Sequence, residues 1–210
     1  MVRTKKSTPR KKSTDVRQRE IIDAAMKILT SDGARQFTAE RVGKEVGLAS
    51  GSIFRHFSSL EDILDGVVDR VEEIIFADPP SKGDSALETL RLFFEFRVLA
   101  IHEHPEVSRL LLTSILIPKG KKSTRDRRLR EFRLRSRQII MDCLKEAKEE
   151  GSLSKGIHLE AAAMLVLGAI YAIGHVPAGS NERKIDSGWI RHIWQLLEKS
   201  LTNGQQGVPK

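Results

Sequence analysis

The side chains best suited to act on a partner molecule lie close together, at Ser50, Gly51, Ser52, Arg55 and His56, inside the stretch 37–57 that reads FTAERVGKEVGLASGSIFRHF. Hydroxyls, one guanidinium and one imidazole in so short a run suit contacts to phosphates and base edges, and Gly51 would let backbone approach backbone. Covalent chemistry finds no comparable set. The chain has no glycine-rich phosphate loop, no nucleophile motif and no carboxylate cluster at a useful spacing, which argues against an enzyme. His102 and His104 are two apart, so they do not share a helix face, and no third ligand accompanies them; neither a metal nor a cofactor is implied.

For the polar run to face outward, two short helices must hold it. Thr38 offers an N-cap for a first helix ending at Gly47, and 49–57 carries a second, with a three- to four-residue turn between them. Val42 and Val46 on the first can share a small core with Ile53 and Phe57 on the second, while Gly43 removes bulk where the two approach. This is the layout of a major-groove reader. Ahead of it, Ile21, Ile22, Ala25, Ile28 and Leu29 recur at helical spacing over 15–31, and Gly33 stands where that helix would end. Behind it, Ile63, Leu64, Val67, Val68, Val71, Ile74 and Ile75 mark a fourth helix, over 59–76, that stops before Pro79 and Pro80.

With the small residue Gly43, the turn glycine Gly47, Gly51 and the closing pair His56 and Phe57 in register, followed by Ser59, Glu61 and Leu64, the chain resembles the tetracycline-repressor (TetR) family over residues 16–64. The resemblance implies a homodimer that binds an operator through the second short helix, often releasing it when a small ligand enters a C-terminal helical domain. It would give DNA contacts to Thr38, Arg41, Ser50, Gly51, Ser52, Phe54, Arg55 and His56. The chain departs from the family at Phe54, usually tyrosine, and at Leu60, usually lysine; both usual residues bind DNA phosphates. Because phosphate contacts carry much of the affinity and its salt dependence, the basic arm with Lys11 and Lys12, together with Arg17, Arg41, Arg55 and His56, is expected to compensate.

Charge placement agrees with a polyanionic partner. The 210 residues carry a formal net charge of +8, and residues 1–20 alone hold eight basic against two acidic side chains. Residues 1–14 lack apolar periodicity and read as a disordered arm rather than a secretory signal. The single cysteine, Cys143, leaves no internal disulfide and fits a cytoplasmic protein. The longest uncharged apolar run, 161–174, falls short of the ~20 residues a membrane span requires.

Past the proline pair, five more helices are expected, over 85–104, 105–116, 125–150, 159–175 and 187–202, giving an all-α fold of about nine helices. The domain reading is an arm (1–14), a helix-turn-helix domain (15–60), a connecting helix (61–78), an effector-binding and dimerisation domain (79–203) and a flexible tail (204–210). Phe93, Phe94, Phe96, Met141, Tyr171 and His175 could line a ligand cavity or simply pack the core. Leu165, Gly168, Ala169 and Ala172 on a narrow apolar eighth helix, with Trp189, Ile193, Trp194 and Leu197 on the ninth, point to a four-helix seam between two copies. The basic run 119–137 reads as a solvated face, with an anionic ligand, an acidic surface or flanking DNA as alternatives. The favoured function is a repressor released from a near-palindromic operator by a small-molecule effector. The competing one is an architectural or nucleoid-associated DNA binder that needs no effector.

Overall fold

The computed structural model describes residues 13–76, 81–112, 124–174 and 187–202, and among these every regular element is helical. Among the described residues nine α-helices follow one another: α1 (Thr14–Ser31), α2 (Ala39–Val46), α3 (Ser50–Ile53), α4 (Leu60–Phe76), α5 (Ala86–Glu103), α6 (Pro105–Leu112), α7 (Thr124–Glu149), α8 (Leu159–Gly174) and α9 (Ser187–Thr202). The chain divides into two compact units, Met1–Val67 and Val68–Lys210. The division falls within α4, not at Pro79 and Pro80, which lie outside the described residues.

In the first unit, α1 starts where the Ser13 hydroxyl accepts the Val16 N–H. It ends where Asp32 and Gly33 both donate to the Ile28 carbonyl. Ile21, Ala25, Ile28 and Leu29 are buried along one face, as the spacing predicts, and with Val42, Ile53, Ile63 and Val67 they form the hydrophobic interior of this unit. A single 3-10 turn, Ala34–Gln36, sits between α1 and α2 and has no signal in the sequence pattern. The α1–α2 crossing also carries ion pairs: Lys27 meets Glu45 at 2.6 Å and Arg41 meets Asp32 at 2.9 Å.

The second unit is organised around α5, which packs against α6, α7, α8 and α9. Ser85 caps it by accepting the Glu88 N–H, and the Glu150 carboxylate accepts the Ala86 N–H. A helix with neighbours on several sides must be apolar on several sides. Leu90, Phe94, Val98 and Ile101 are accordingly buried together with Ile140, Leu144, Val166, Ile170 and Trp194. The Phe94 and Trp194 rings meet at 5.6 Å between centroids.

One expectation changes here. Trp194 and Leu197, foreseen at a seam between copies, are buried in the unit's own core, because α9 turns the stripe Ile190, Trp194, Leu197 and Leu201 inward. The expected ends of α6 at 116 and α8 at 175 fall outside the described residues.

Phe94 lies at the centre of the second unit with no exposed surface. Phe94→Ala is therefore expected to lower unfolding free energy by about 3–5 kcal/mol, measured by urea denaturation followed by circular dichroism.

Candidate nucleic-acid interface and effector cavity

The first unit builds its polar face from a tight turn. The Thr38 hydroxyl accepts the Arg41 N–H to start α2, and Gly47 ends it in the left-handed conformation at φ 68°. The chain then doubles back so closely that the Leu48 N–H donates to the Gly43 carbonyl at 2.8 Å. A Cβ on Gly43 would stand 2.7 Å from the Leu48 carbonyl oxygen, closer than such atoms approach in folded proteins, so this position demands glycine.

Past the turn, α3 is one helical turn, Ser50–Ile53, shorter than the 49–57 expected. The reason is local. Arg55 donates to the Ser52 carbonyl and His56 to the Ile53 carbonyl, three residues back instead of four, so the segment tightens out of α geometry. Ile53 is fully buried and pins the turn to the core. Ser50, Gly51, Phe54 and Arg55 are exposed, and Ser52 and His56 are partly buried. No acidic side chain among the described residues pairs with Arg55. Gln18 holds the far end of the segment by donating to the His56 carbonyl at 2.9 Å, while the His56 Nδ1 is buried without a hydrogen-bond partner among the described residues.

The cations expected to compensate for Phe54 and Leu60 divide. Lys11 and Lys12 lie outside the described residues. Arg17 is held by Glu20 at 2.9 Å and reaches the Val46 carbonyl, and Arg41 is shared between Asp32 and Glu45. Arg17 and Arg41 thus brace α1 against α2 and its end. The carboxyl of Asp32 is held below its ordinary range by the Ser31 hydroxyl and then by Arg41, and that of Glu45 by Lys27.

The basic run also finds its partners inside the chain. Lys119, Lys121 and Lys122 lie outside the described residues, but the arginines of α7 do not. Arg128 bridges Asp69 and Glu72 of α4 at 2.8 and 2.9 Å, Arg130 pairs with Asp126, and Arg137 pairs with Glu160 of α8. Arg133 donates to the Leu111 carbonyl. This face staples helices within the second unit. Among the described residues no group of three His, Cys, Asp or Glu could hold a metal, and no helix is long and apolar enough to cross a membrane.

The second unit holds a cavity of about 220 Å³ lined by Ile75, Phe76, Phe93, Phe96, Arg97 and Arg135, among others. Of the residues expected there, Phe93 and Phe96 line it. Phe94 and Met141 are in the core, and His175 lies outside the described residues. Tyr171 is partly buried and packs against that core; burial raises its pKa, and the charges of Arg97 and Arg133 oppose this. Sequence reasoning passed over Arg97, although its place on the buried stripe Leu90, Phe93, Arg97, Ile101 marks it: a guanidinium on an apolar face requires an explanation. A wider depression of about 460 Å³ in the first unit is walled by charges already paired with one another, such as Arg17 with Glu20 and Lys27 with Glu45.

Residues 21–67 match the family model described as bacterial regulatory proteins, tetR family. The nucleoid occlusion factor SlmA of Vibrio cholerae is 25% identical over 189 residues, 88% of this chain and 95% of that protein. SlmA of Actinobacillus pleuropneumoniae serotype 5b is 26% identical over 105 residues, 48% of this chain, and the match spans only about half of its length, 52%. Among solved structures, the ketosteroid transcriptional regulator KstR2 of Mycobacterium tuberculosis superposes with a TM-score of 0.70 at 17% identity, covering 89% of this chain and 95% of that one. AibR in complex with isovaleryl coenzyme A and operator DNA gives 0.66 at 13% identity, covering 89% and 98%. At these identities the solved structures share the fold.

Gly43→Ala forces backbone against backbone, so it is expected to destabilise the first unit by about 1–3 kcal/mol and to disturb the set of α3. Chemical-shift changes centred on residues 48–57 in a backbone-labelled sample would record the displacement.

Proposed function

We propose that this chain, whose residues 21–67 match the tetR-family model, is a DNA-binding transcriptional regulator of that family, a homodimeric, cytoplasmic repressor whose two reading segments hold a near-palindromic operator. Occupation of the cavity in the second unit by a small molecule releases it. The observation that supports this reading best is the geometry of 50–56: one buried anchor, Ile53, with Ser50, Gly51, Phe54 and Arg55 exposed around it and Ser52 and His56 partly buried beside them. Two such segments about one helical turn apart, ~34 Å, would enter successive major grooves. Arg55 and the basic arm, with Lys11 and Lys12, supply the phosphate contacts; Thr38, Ser50, Gly51, Ser52, Phe54 and His56 complete the surface, with Arg17 and Arg41 bracing it.

The second copy is assigned to α8. Met164, Leu165, Gly168 and Ala172 are exposed there, Met164 at 65%, and Leu196 on α9 is exposed at 67%. Ala169, Trp189 and Ile193 are partly buried and border the core, so they contribute at the edge of such a seam, whereas Trp194 and Leu197 do not. Helix α4 is the route between cavity and reading segment: Ile63 and Val67 are buried, and Ile75 and Phe76 line the cavity.

A second reading, DNA binding without an effector, draws on the relatives named nucleoid occlusion factors. The two readings separate on specificity. A regulator should prefer the promoter region beside its own gene over random duplex by ~10³ or more at equal salt. In mobility-shift titrations we expect that preference for the full chain, and deletion of residues 1–12 should lower affinity and flatten its dependence on salt. A preference near unity favours the second reading, and an unchanged affinity removes the arm from the contact.

Leu165→Glu places a charge on the exposed α8 face. It is expected to shift the protein from dimer to monomer in sedimentation equilibrium without loss of helicity, and an unaltered mass would move the seam elsewhere.

A further inference from the structure

Among the described residues of the second unit, one charged side chain is buried. Arg97 is 3% exposed, yet neither its Nε nor its Nη2 has a hydrogen-bond partner among the described residues. Its guanidinium carbon lies 4.9 Å from the centroid of Phe76 and 5.0 Å from that of Phe93. Ring faces stabilise a cation, but they accept nothing from the N–H groups along its edge. Burial pushes the pKa of Arg97 down to about 10, which leaves it charged at neutral pH.

The charged groups nearby are otherwise engaged. Glu72 is taken by Arg128 and lies 3.8 Å from Arg135; Arg133 donates to the Leu111 carbonyl. Arg135 stands over the Phe76 ring at 4.0 Å and, like Arg97, lines the cavity. An ion taken out of water with its donors unsatisfied is costly, and a protein keeps one where something else completes it.

We propose that the cavity beside Arg97 binds a small carboxylate with an apolar body, its oxygens accepting from the edge of Arg97 and its ring or short chain lying among Phe76, Phe93 and Phe96. The reading rests on the proposal that the second unit receives an effector, and it names that effector's class. The charge follows from Arg97 and Arg135, both cationic and both lining the cavity. The geometry follows from the planar fork of arginine, which matches a carboxylate through two parallel hydrogen bonds. The size follows from about 220 Å³, below the ~300–1,000 Å³ of common ligand pockets, which admits one ring or a short chain.

The test is titration calorimetry on the full chain with benzoate, phenylacetate and hexanoate, each beside its amide, which keeps the shape and removes the charge. At least one acid is expected to bind, with its amide at least about tenfold weaker. Arg97→Met retains the apolar stem, and Arg97→Gln retains a polar head; both are expected to abolish the preference for acid over amide while circular dichroism shows native helicity. Binding by none of the acids, equal binding of acid and amide, or a preference that survives in a folded Arg97 variant each overturns the proposal. The comparison of acid with amide on the unaltered chain holds even where a variant does not fold. A mobility shift on the same ligand-free sample tests operator binding separately, so failure of DNA recognition and failure of carboxylate recognition are told apart.

Discussion

Where α2 hands over to α3, the backbone of Gly43 lies against the Leu48 carbonyl, with 2.7 Å available where any other residue would place a carbon atom. That contact sets how sharply the chain turns, and the turn decides which side of 50–56 is buried. With the turn closed, Ile53 drops into the interior beside Val42, and the residues on either side of it are carried outward. The helix they belong to is a single turn of four residues, too short to persist by its own hydrogen bonds. Its orientation is borrowed from the glycine contact, the Ile53 anchor and the Gln18 bond to the His56 carbonyl.

The distribution of charge follows a similar division of labour. An overall charge of +8 invites the idea that the basic stretch near the middle of the chain is a second nucleic-acid surface. In the structure, Arg128, Arg130, Arg135 and Arg137 all lie within reach of carboxylates of α4, α7 or α8, and Arg133 takes a backbone carbonyl. Individually such pairs contribute little at a surface, but the Arg128 bridge to Asp69 and Glu72 fixes the register of α7 along the second half of α4. Arg97 differs from these arginines, a cation with aromatic neighbours and, among the described residues, no acceptor at Nε or Nη2.

How much of this could be read from residue order depends on how local each signal is. The cap at Thr38 and the stops at Gly33 and Gly47 are decided within a few residues, and each stands where the pattern puts it. Gly43 was legible too, because two helices joined by a short turn must cross closely. The length of α3 was not, since whether a backbone N–H bonds three or four residues back depends on how the segment is pinned by Ile53. Nor were the partners of Arg41 or Arg128, because Asp32, Asp69 and Glu72 meet them only after the helices pack. The stripe on α9 was legible as apolar but not as inward-facing, because periodicity identifies a buried side without saying whether the same chain or another covers it. In the cavity, aromatic residues were easily nominated, and Phe93 and Phe96 are there. Arg97 escaped because its meaning comes from what surrounds it.

The burial of Trp194 has one more consequence. The chain has two tryptophans, at 189 and 194, both on α9, and one tyrosine, at 171 on α8. Every strongly emitting or near-ultraviolet-absorbing ring therefore belongs to the second unit, and the first, with only phenylalanines, is optically almost silent. Intrinsic fluorescence will report the melting of α8 and α9 and pass over the loss of α1, α2 and α3, whereas far-ultraviolet dichroism registers both. Where the two transitions separate, an emission curve taken alone would describe the protein as native after its first unit had already come apart.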